Sequence, residues 1–361
     1  MDTAILSYDN DTVRQIDRIE FDVWGNKAVR DASALGDTTG IDIPDLYADS
    51  NTAKKGGLID PRLGTTGNDT ECATCGLNTT FCVGHFGHID LAEHVFHIGY
   101  LVYVHKILSC ICPRCSKLLI YKNEDDIKET LKSKSGKERL AHIRAVSKNI
   151  THCQKPDYGC GTPIPKIKID LKKSSGAINI IAETDLEGTK EDGTSEGKKK
   201  LRQILTPDII HDILKNISDA DCEIMGMDPK RSRPEDMIHK IFPVPPVQMR
   251  PSTKGDYMGG STMEDDLTHK LADIVKANLR IIKNKENQNE TSSKYNIEHA
   301  HLLQYHIATY FENDSMSMLK AEQKGKPFKS LSDRLKTKEG RIRGNLMGKL
   351  LLKTGSCSIR C

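Results

Sequence analysis

Cys72-Ala-Thr-Cys75-Gly-Leu-Asn-Thr-Thr-Phe-Cys82-Val-Gly-His85 gathers four metal-binding side chains into one short, glycine- and threonine-rich stretch. A two-residue gap between thiolates lets both face one ion, because the turn brings the chain back on itself. Two such pairs complete a tetrahedral shell of three thiolates and one imidazole, the usual closed structural zinc site. His88 offers a substitute for His85, although the spacing favours His85. Four protein donors leave no open position for a substrate, which disfavours an independent metalloenzyme.

Further along the chain, a second set lies at Cys112, Cys115, Cys153 and Cys160. Its two pairs are far apart and its second gap is looser than an ordinary knuckle. Cys110 competes with Cys112 as a ligand. Eleven cysteines, an odd number grouped in tight pairs, read as metal ligands and not as disulfides. Cys222 falls in a helical stretch and reads as a small core residue. His94, His97, His299, His301 and His306 lack cysteine or carboxylate partners at metal spacing and read as structural.

The flanking sequence is that of a soluble chain of more than one domain, 37% hydrophobic and 29% charged. Met1 to Phe21 is too charged for a signal peptide, and the apolar run 98–112 is too short to span a bilayer. Net charge is only +3, but ten Lys/Arg stand against three Asp/Glu between Met316 and Lys349, leaving residues 1–315 net acidic. Basicity concentrated in one segment suits a surface that meets polyphosphate. Short strands are expected in 1–60 (Ile16–Val23 among them), a buried helix over Leu91–Ser109, a helix-prone insert over Glu124–Lys148, a strand over Ile164–Leu171 and a loop over Glu183–Lys200. Thr206-Pro207 opens a helix burying Ile209, Ile210, Ile213, Leu214 and Ile217. Prolines 243, 245, 246 and 251 impose an extended segment. Thr262-Met-Glu-Asp265 reads as a capping box before a helix carrying Leu267, Leu271, Ile274, Val275, Asn278 and Ile282. A connector, Asn284–Lys294, leads to a helix facing inward through Ile297, Ala300, Leu303, Ile307 and Phe311.

Several of these stretches resemble one family. Asp60-Pro-Arg-Leu-Gly64 and Cys72-Ala-Thr-Cys-Gly … Cys82-Val-Gly-His-Phe-Gly-His-Ile-Asp-Leu91 are similar to the clamp zinc motif of the largest subunit of multisubunit DNA-directed RNA polymerase, most of all the eukaryotic polymerase II type and its relatives in large DNA viruses. Ile111-Cys-Pro-Arg-Cys-Ser-Lys-Leu-Leu119 and Gly159-Cys-Gly161 resemble that family's second zinc site. Arg231-Ser-Arg-Pro-Glu235, Pro243 to Pro251, Glu264 to Asn278, Leu303 to Tyr310, Gly325 to Ser330 and Arg334 to Lys349 follow in the family's order. The resemblance implies an α+β, multi-layer clamp region with two zinc-stabilised loop-rich segments: N-terminal clamp strands (1–60), a zinc-binding head (61–170), clamp core helices (171–249), then lid, clamp helices, rudder and switch segment (250–349), with a divergent tail (350–361). The lid falls at about 250–266 and the rudder at about 317–335.

It also implies two structural zinc ions, held by Cys72, Cys75, Cys82 and His85 and by Cys112, Cys115, Cys153 and Cys160. Template DNA would be contacted by Lys329, Arg334, Lys336, Lys338, Arg341, Arg343 and Lys349, interleaved with Gly340, Gly344 and Gly348. Such a segment reads phosphates and not bases. Further implied partners are the RNA–DNA hybrid, the second-largest and smaller polymerase subunits and initiation factors, with no membrane. The location would be the nucleus for a cellular owner, or a virion or cytoplasmic viral factory for a viral one. Two departures stand out. The Cys153–Cys160 gap is shorter than in the cellular subunit, and after Lys349 the family's Arg-Val-Asp-Phe-Ser-Ala-Arg-like continuation is replaced by Leu350 to Cys361. The sequence contains no Asn-Ala-Asp-Phe-Asp-Gly-Asp-like motif, so catalytic Mg2+ is expected only in a full-length subunit beyond this point. The ending is expected to reflect an intron, frameshift or split gene. The competing expectation is a stand-alone zinc-binding module without polymerase activity.

Overall fold

The computed structural model describes residues 22–348 apart from 37, 39, 49–51, 66, 68–69, 121–132, 154–158, 173–176, 187–198, 255–261, 287–289, 315–318 and 324. In chain order its elements are α1 (Asn26–Ala32), β1 (Gly87–Phe96), α2 (Leu101–Leu108), α3 (Gly136–Ser147), β2 (Lys166–Lys172), β3 (Ala177–Leu186), β4 (Lys199–Leu205), α4 (Pro207–Lys215), α5 (Asp219–Ile224), β5 (Ile238–Val244), β6 (Thr253–Lys254), β7 (Thr262–Met263), α6 (Asp266–Glu286), α7 (Glu290–Phe311), β8 (Glu322–Gln323), β9 (Lys326–Pro327) and α8 (Leu331–Lys336). The mixture of helices and small antiparallel sheets is that of an α+β chain.

The helix expected over Leu91–Ser109 divides. Its first third is the end of strand β1, and only Leu101–Leu108 is α-helical. β1 pairs antiparallel with β5, from Gly87↔Val244 to Phe96↔Ile238, with a bulge between Asp90 and Val95. The bulge frees backbone groups, and α6 supplies their partners: Asn278 Nδ2 donates to the Asp90 carbonyl and its Oδ1 accepts from Ala92 N, both at 2.8 Å. Gln304 of α7 does the same for Phe96, at 2.8 and 2.9 Å. A strand whose partner lies far along the chain is invisible to local periodicity, so apolar positions at 89, 91, 95 and 96 mislead.

Two cores form. One packs α2, α3, α4 and α5 against the three-stranded meander β2–β3–β4, through residues such as Val104, Ile107, Ile180, Ile210 and Leu214. The other lies between β1–β5 and the helix pair α6–α7, through Ile89, Phe242, Leu271, Ile274, Leu303 and Ile307. Thr206 caps α4 as expected, accepting from Ile209 N, and Pro207 takes the first helical position. Ile209 itself points outward, 41% exposed.

The expected capping box before α6 is corrected: Thr262 lies in β7, and Asp265 caps the helix by accepting from Leu267 N at 2.8 Å. The connector is shorter than expected, since helix runs to Glu286 and resumes at Glu290, and Ile297 is 60% exposed instead of facing inward. Among the described residues of 1–60 the regular element is helix α1, not a strand; Ile16–Phe21 of the expected run lies outside the described residues. The expected 183–200 loop loses both ends to β3 and β4, its middle lying outside the described residues, as does 124–132 of the expected insert. After β5 the proline-rich segment tightens into a 3-10 turn, Val247–Met249.

Two small hairpins project near α6 and α7. One pairs Thr253 with Met263, the other Glu322 with Pro327. They fall within the stretches expected to be lid and rudder.

Candidate metal centres and a basic segment

At the first centre Cys72 N donates to the Leu77 carbonyl (2.9 Å) and Gly76 N to the Cys72 carbonyl (2.8 Å), closing a turn that Gly76 completes at φ +67°. Both thiols of that turn then face one point. Cys82 and His85 come to the same point along the strand approach. Gly84 has φ +85°, and a Cβ there would lie 2.5 Å from Pro246 Cβ and 2.4 Å from Gln248 Oε1, so only glycine fits. His85 N donates to the Leu63 carbonyl at 3.0 Å, fastening the centre to the second core.

The approach motif also has a physical reason. The Asp60 carboxylate, fully buried, accepts from Gly56 N (2.6 Å), from Arg62 N (2.9 Å) and from the Arg62 guanidinium (3.0 and 2.8 Å). Burial pushes its pKa up, but the Arg62 and Gly56 donors prevail and hold it below the ordinary value.

The donor atoms of Cys72, Cys75, Cys82 and His85 all lie within 4.8 Å of one another, with Cys82 Sγ 3.8 Å from His85 Nε2. A tetrahedral ion with bonds of about 2.3 Å to sulfur and about 2.0 Å to nitrogen needs donor separations of about 3.5–3.8 Å. The residues fit zinc. His88 is excluded as the alternative ligand: it is fully buried, with Nδ1 on Ser33 Oγ (2.7 Å) and Nε2 on the Thr38 carbonyl (3.3 Å).

The second centre repeats the first turn. Cys112 N donates to the Lys117 carbonyl and Ser116 N to the Cys112 carbonyl, both at 2.9 Å. Ser116 takes the place of Gly76 and accepts φ +56°, a left-handed position that costs a non-glycine residue about 1 kcal/mol. Cys153 N donates to the Thr162 carbonyl (2.8 Å), which brings the loop back beside Cys160. Cys112 and Cys160 sulfurs are 3.5 Å apart, Cys115 and Cys153 sulfurs 3.7 Å, and all four lie within 4.8 Å. Despite the loose Cys153–Cys160 spacing, the four sulfurs converge as a tetrahedral four-thiolate site requires.

Cys110 is not in this cluster. It is fully buried against the Lys106 carbonyl, and burial pushes its thiol up to about 12. Cys222 is likewise buried in α5, its thiol pushed up to about 11 by burial. Thr162, which the sequence reading missed, sets its Oγ1 2.8 Å from Cys160 Sγ. Hydroxyl contacts of this kind orient and tune metal thiolates, and only their position two residues after the last cysteine hints at them.

The basic segment is built differently. Ser330 caps α8, accepting from Asp333 N (3.3 Å) while Asp333 accepts from Ser330 N (3.0 Å). Gly340 follows, where a Cβ would meet the Leu335 carbonyl at 2.6 Å, and then a single π-type turn, Arg341–Leu346. Arg334 is spent internally: its guanidinium pairs with the Asp265 carboxylate and donates to the Met249 carbonyl at 3.1 Å. Lys336 reaches toward Glu312 at 3.9 Å. Lys329, Lys338, Arg341 and Arg343 are exposed, Arg341 touching Asn345 Oδ1 at 3.2 Å, and Lys349 lies outside the described residues. The candidate cations thus divide into one internal anchor and an exposed row. Among the described residues no helix is long and apolar enough to cross a membrane.

Known proteins bear on this geometry. The model of the family described as RNA polymerase Rpb1, domain 1 matches residues 13–346. DNA-directed RNA polymerase subunit 1 of Acanthamoeba polyphaga mimivirus is 50% identical over 342 residues, which are 94% of this chain and 23% of that protein. The chain therefore spans about a quarter of the length of that curated relative.

Proposed function

Because the chain belongs to the RNA polymerase Rpb1 domain 1 family, the N-terminal region of the largest polymerase subunit, we propose that it works as the clamp of a viral DNA-directed RNA polymerase. The assembled enzyme joins ribonucleoside triphosphates on a DNA template, with its catalytic Mg2+ held by a part of the subunit beyond these residues. This region closes over the DNA and helps part transcript from template. Its partners are template DNA, the RNA–DNA hybrid, the other polymerase subunits and initiation factors, and its place is the virion or a cytoplasmic viral factory. Two zinc ions, one on Cys72, Cys75, Cys82 and His85 and one on Cys112, Cys115, Cys153 and Cys160, stiffen a loop-rich jaw. When bound, each ion supplies cross-linking and no chemistry.

The observation that carries the DNA reading is the exposed row Lys338, Arg341 and Arg343 beside a helix that Arg334 bolts to Asp265. Cations on a fixed base, with Gly344 among them, suit a sugar–phosphate backbone and carry no base selectivity. The hairpins β6–β7 and β8–β9 are the lid and the rudder in this reading.

Alanine at Arg341 and Arg343 in the assembled enzyme should weaken DNA retention and lower the slope of log affinity against log salt by about 1–2. Arg334→Ala should instead lower stability first. An unchanged salt slope in the double variant would sink the phosphate contact.

A further inference from the structure

Between α3, the C-terminal part of α2 and the start of β2 lies a groove of about 1000 Å3. One wall is a single face of α3, formed by Ala141, Arg144, Ala145 and Lys148 at intervals of three and four. The opposite side carries Ile164 and Ile167, and Leu119 and Ile150 contribute apolar surface. The two alanines, both exposed, leave open space on this face between the longer side chains of Arg144 and Lys148.

Two further features narrow the occupant. β2 is the outer strand of the order β2–β3–β4, so among the described residues no strand pairs with its other edge. At the near end the Ile167 carbonyl is already taken by His105 Nε2 at 3.0 Å, so an added strand would pair with β2 beyond Ile167. The lining is also positive. Arg144, Lys148 and Lys166 stand against Glu183, and Glu183 is held by Lys168 (2.7 Å) and Arg202 (3.0 Å).

We infer that this groove receives an extended acidic segment of a partner protein. Its apolar side chains enter between the alanine face and the isoleucines, its carboxylates meet Arg144 and Lys148, and its backbone extends the edge of β2. A nucleic acid strand fits less well, because among the described residues no Phe, Tyr or Trp lines the groove to stack on bases and the apolar surface offers nothing to phosphates. The surface is distinct from the basic C-terminal segment, and the inference does not depend on that segment touching DNA.

The test uses the zinc-loaded full chain and a fluorescein-labelled peptide of alternating Asp and Val, followed by fluorescence anisotropy. Arg144→Glu with Lys148→Glu should weaken binding at least about tenfold. Ala145→Trp, which fills the groove without changing charge, should abolish it. Arg144 and Ala145 are exposed on α3 and Lys148 is exposed at its C-cap, and an unchanged circular dichroism spectrum and zinc content verify the fold. Lys200→Glu on β4 should leave binding unaltered. Equal affinity in the charge-reversed or tryptophan variant would overturn the inference. So would an oligonucleotide of equal length that displaces the peptide and loses affinity in the Ala145→Trp variant, since that would assign the groove to nucleic acid.

Discussion

His239 is 5% exposed, and neither of its ring nitrogens meets a hydrogen-bond partner. Its ring centroid lies 5.3 Å from that of His97, which is 4.2 Å from Phe311 and 4.6 Å from Tyr100. Burial holds His97 at about 4 and His239 at about 3, both below the ordinary 6.5, and repulsion between the two imidazoles when protonated lowers His239 further. The unfolded chain therefore takes up protons near pH 6.5 while the folded chain refuses them until far lower. Their full contribution to stability is present above pH 6.5 and is lost as pH falls, by about 2 kcal/mol for each imidazole at pH 5. His239→Phe should remove about 2 kcal/mol of the stability lost between pH 7 and pH 5 in denaturant midpoints, His97 and His306 among others supplying the rest; an unaltered slope would refute the assignment. The pair could not be read from the sequence, because β1–β5 register (Val95↔His239) brings together residues far apart in the chain. The two four-donor clusters could be, because each Cys-x2-Cys or Cys-x2-His pair is local and its spacing is its geometry.

At the scale of elements, the β8–β9 hairpin is held at its base by one side chain. Asn313 Nδ2 donates to the Ala321 carbonyl (3.0 Å) and the Phe328 carbonyl (2.9 Å), and its Oδ1 accepts from Ala321 N (2.8 Å). Phe328 also lies over Lys270 of α6, whose ammonium is 5.3 Å from the Phe328 and Tyr305 ring centroids. Burial lowers that lysine to about 8, so the rings stand where a carboxylate would ordinarily be. Asn313→Ala leaves the Phe328 carbonyl and the Ala321 amide without a partner, while the Ala321 carbonyl keeps its bond from Phe328 N at 3.0 Å, and should cost about 2 kcal/mol. Hydrogen exchange at Ala321 and Phe328 should accelerate in step, and unchanged protection there would count against the bracket. The resemblance placed a rudder at about 317–335, the stretch in which this hairpin lies, but gave no sign of Asn313, whose partners are backbone atoms that any residue supplies. It erred on β1 for the related reason that a strand's partner is set by tertiary pairing, and on the start of α6 because Thr262 and Asp265 both suit a cap until β7 claims the threonine.

With zinc bound as proposed, the placement of the two candidate centres would decide how folding of the whole molecule is partitioned. The second centre has a small apolar surround of its own, Cys112, Leu119 and Cys153, and the chain that links its two pairs includes α3 of the first core. The first centre is tied to the other core through Leu63, which is fully buried there, and through Gln248 packed against Gly84. A structural zinc supplies on the order of 10 kcal/mol of local folding energy, more than so small a cluster provides by burial alone. Cys153→Ser should therefore release protection of the amides of Cys112, Ser116, Leu119 and Ile164 in hydrogen exchange, while α6 amides around Leu271 and Ile274 stay slow. Cys82→Ser should reach the α6–α7 core instead, because loss of the proposed zinc would loosen Leu63. If the two substitutions gave one common exchange pattern, or if a strong chelator left both patterns unchanged, the centres would not be the separate struts that their surroundings imply.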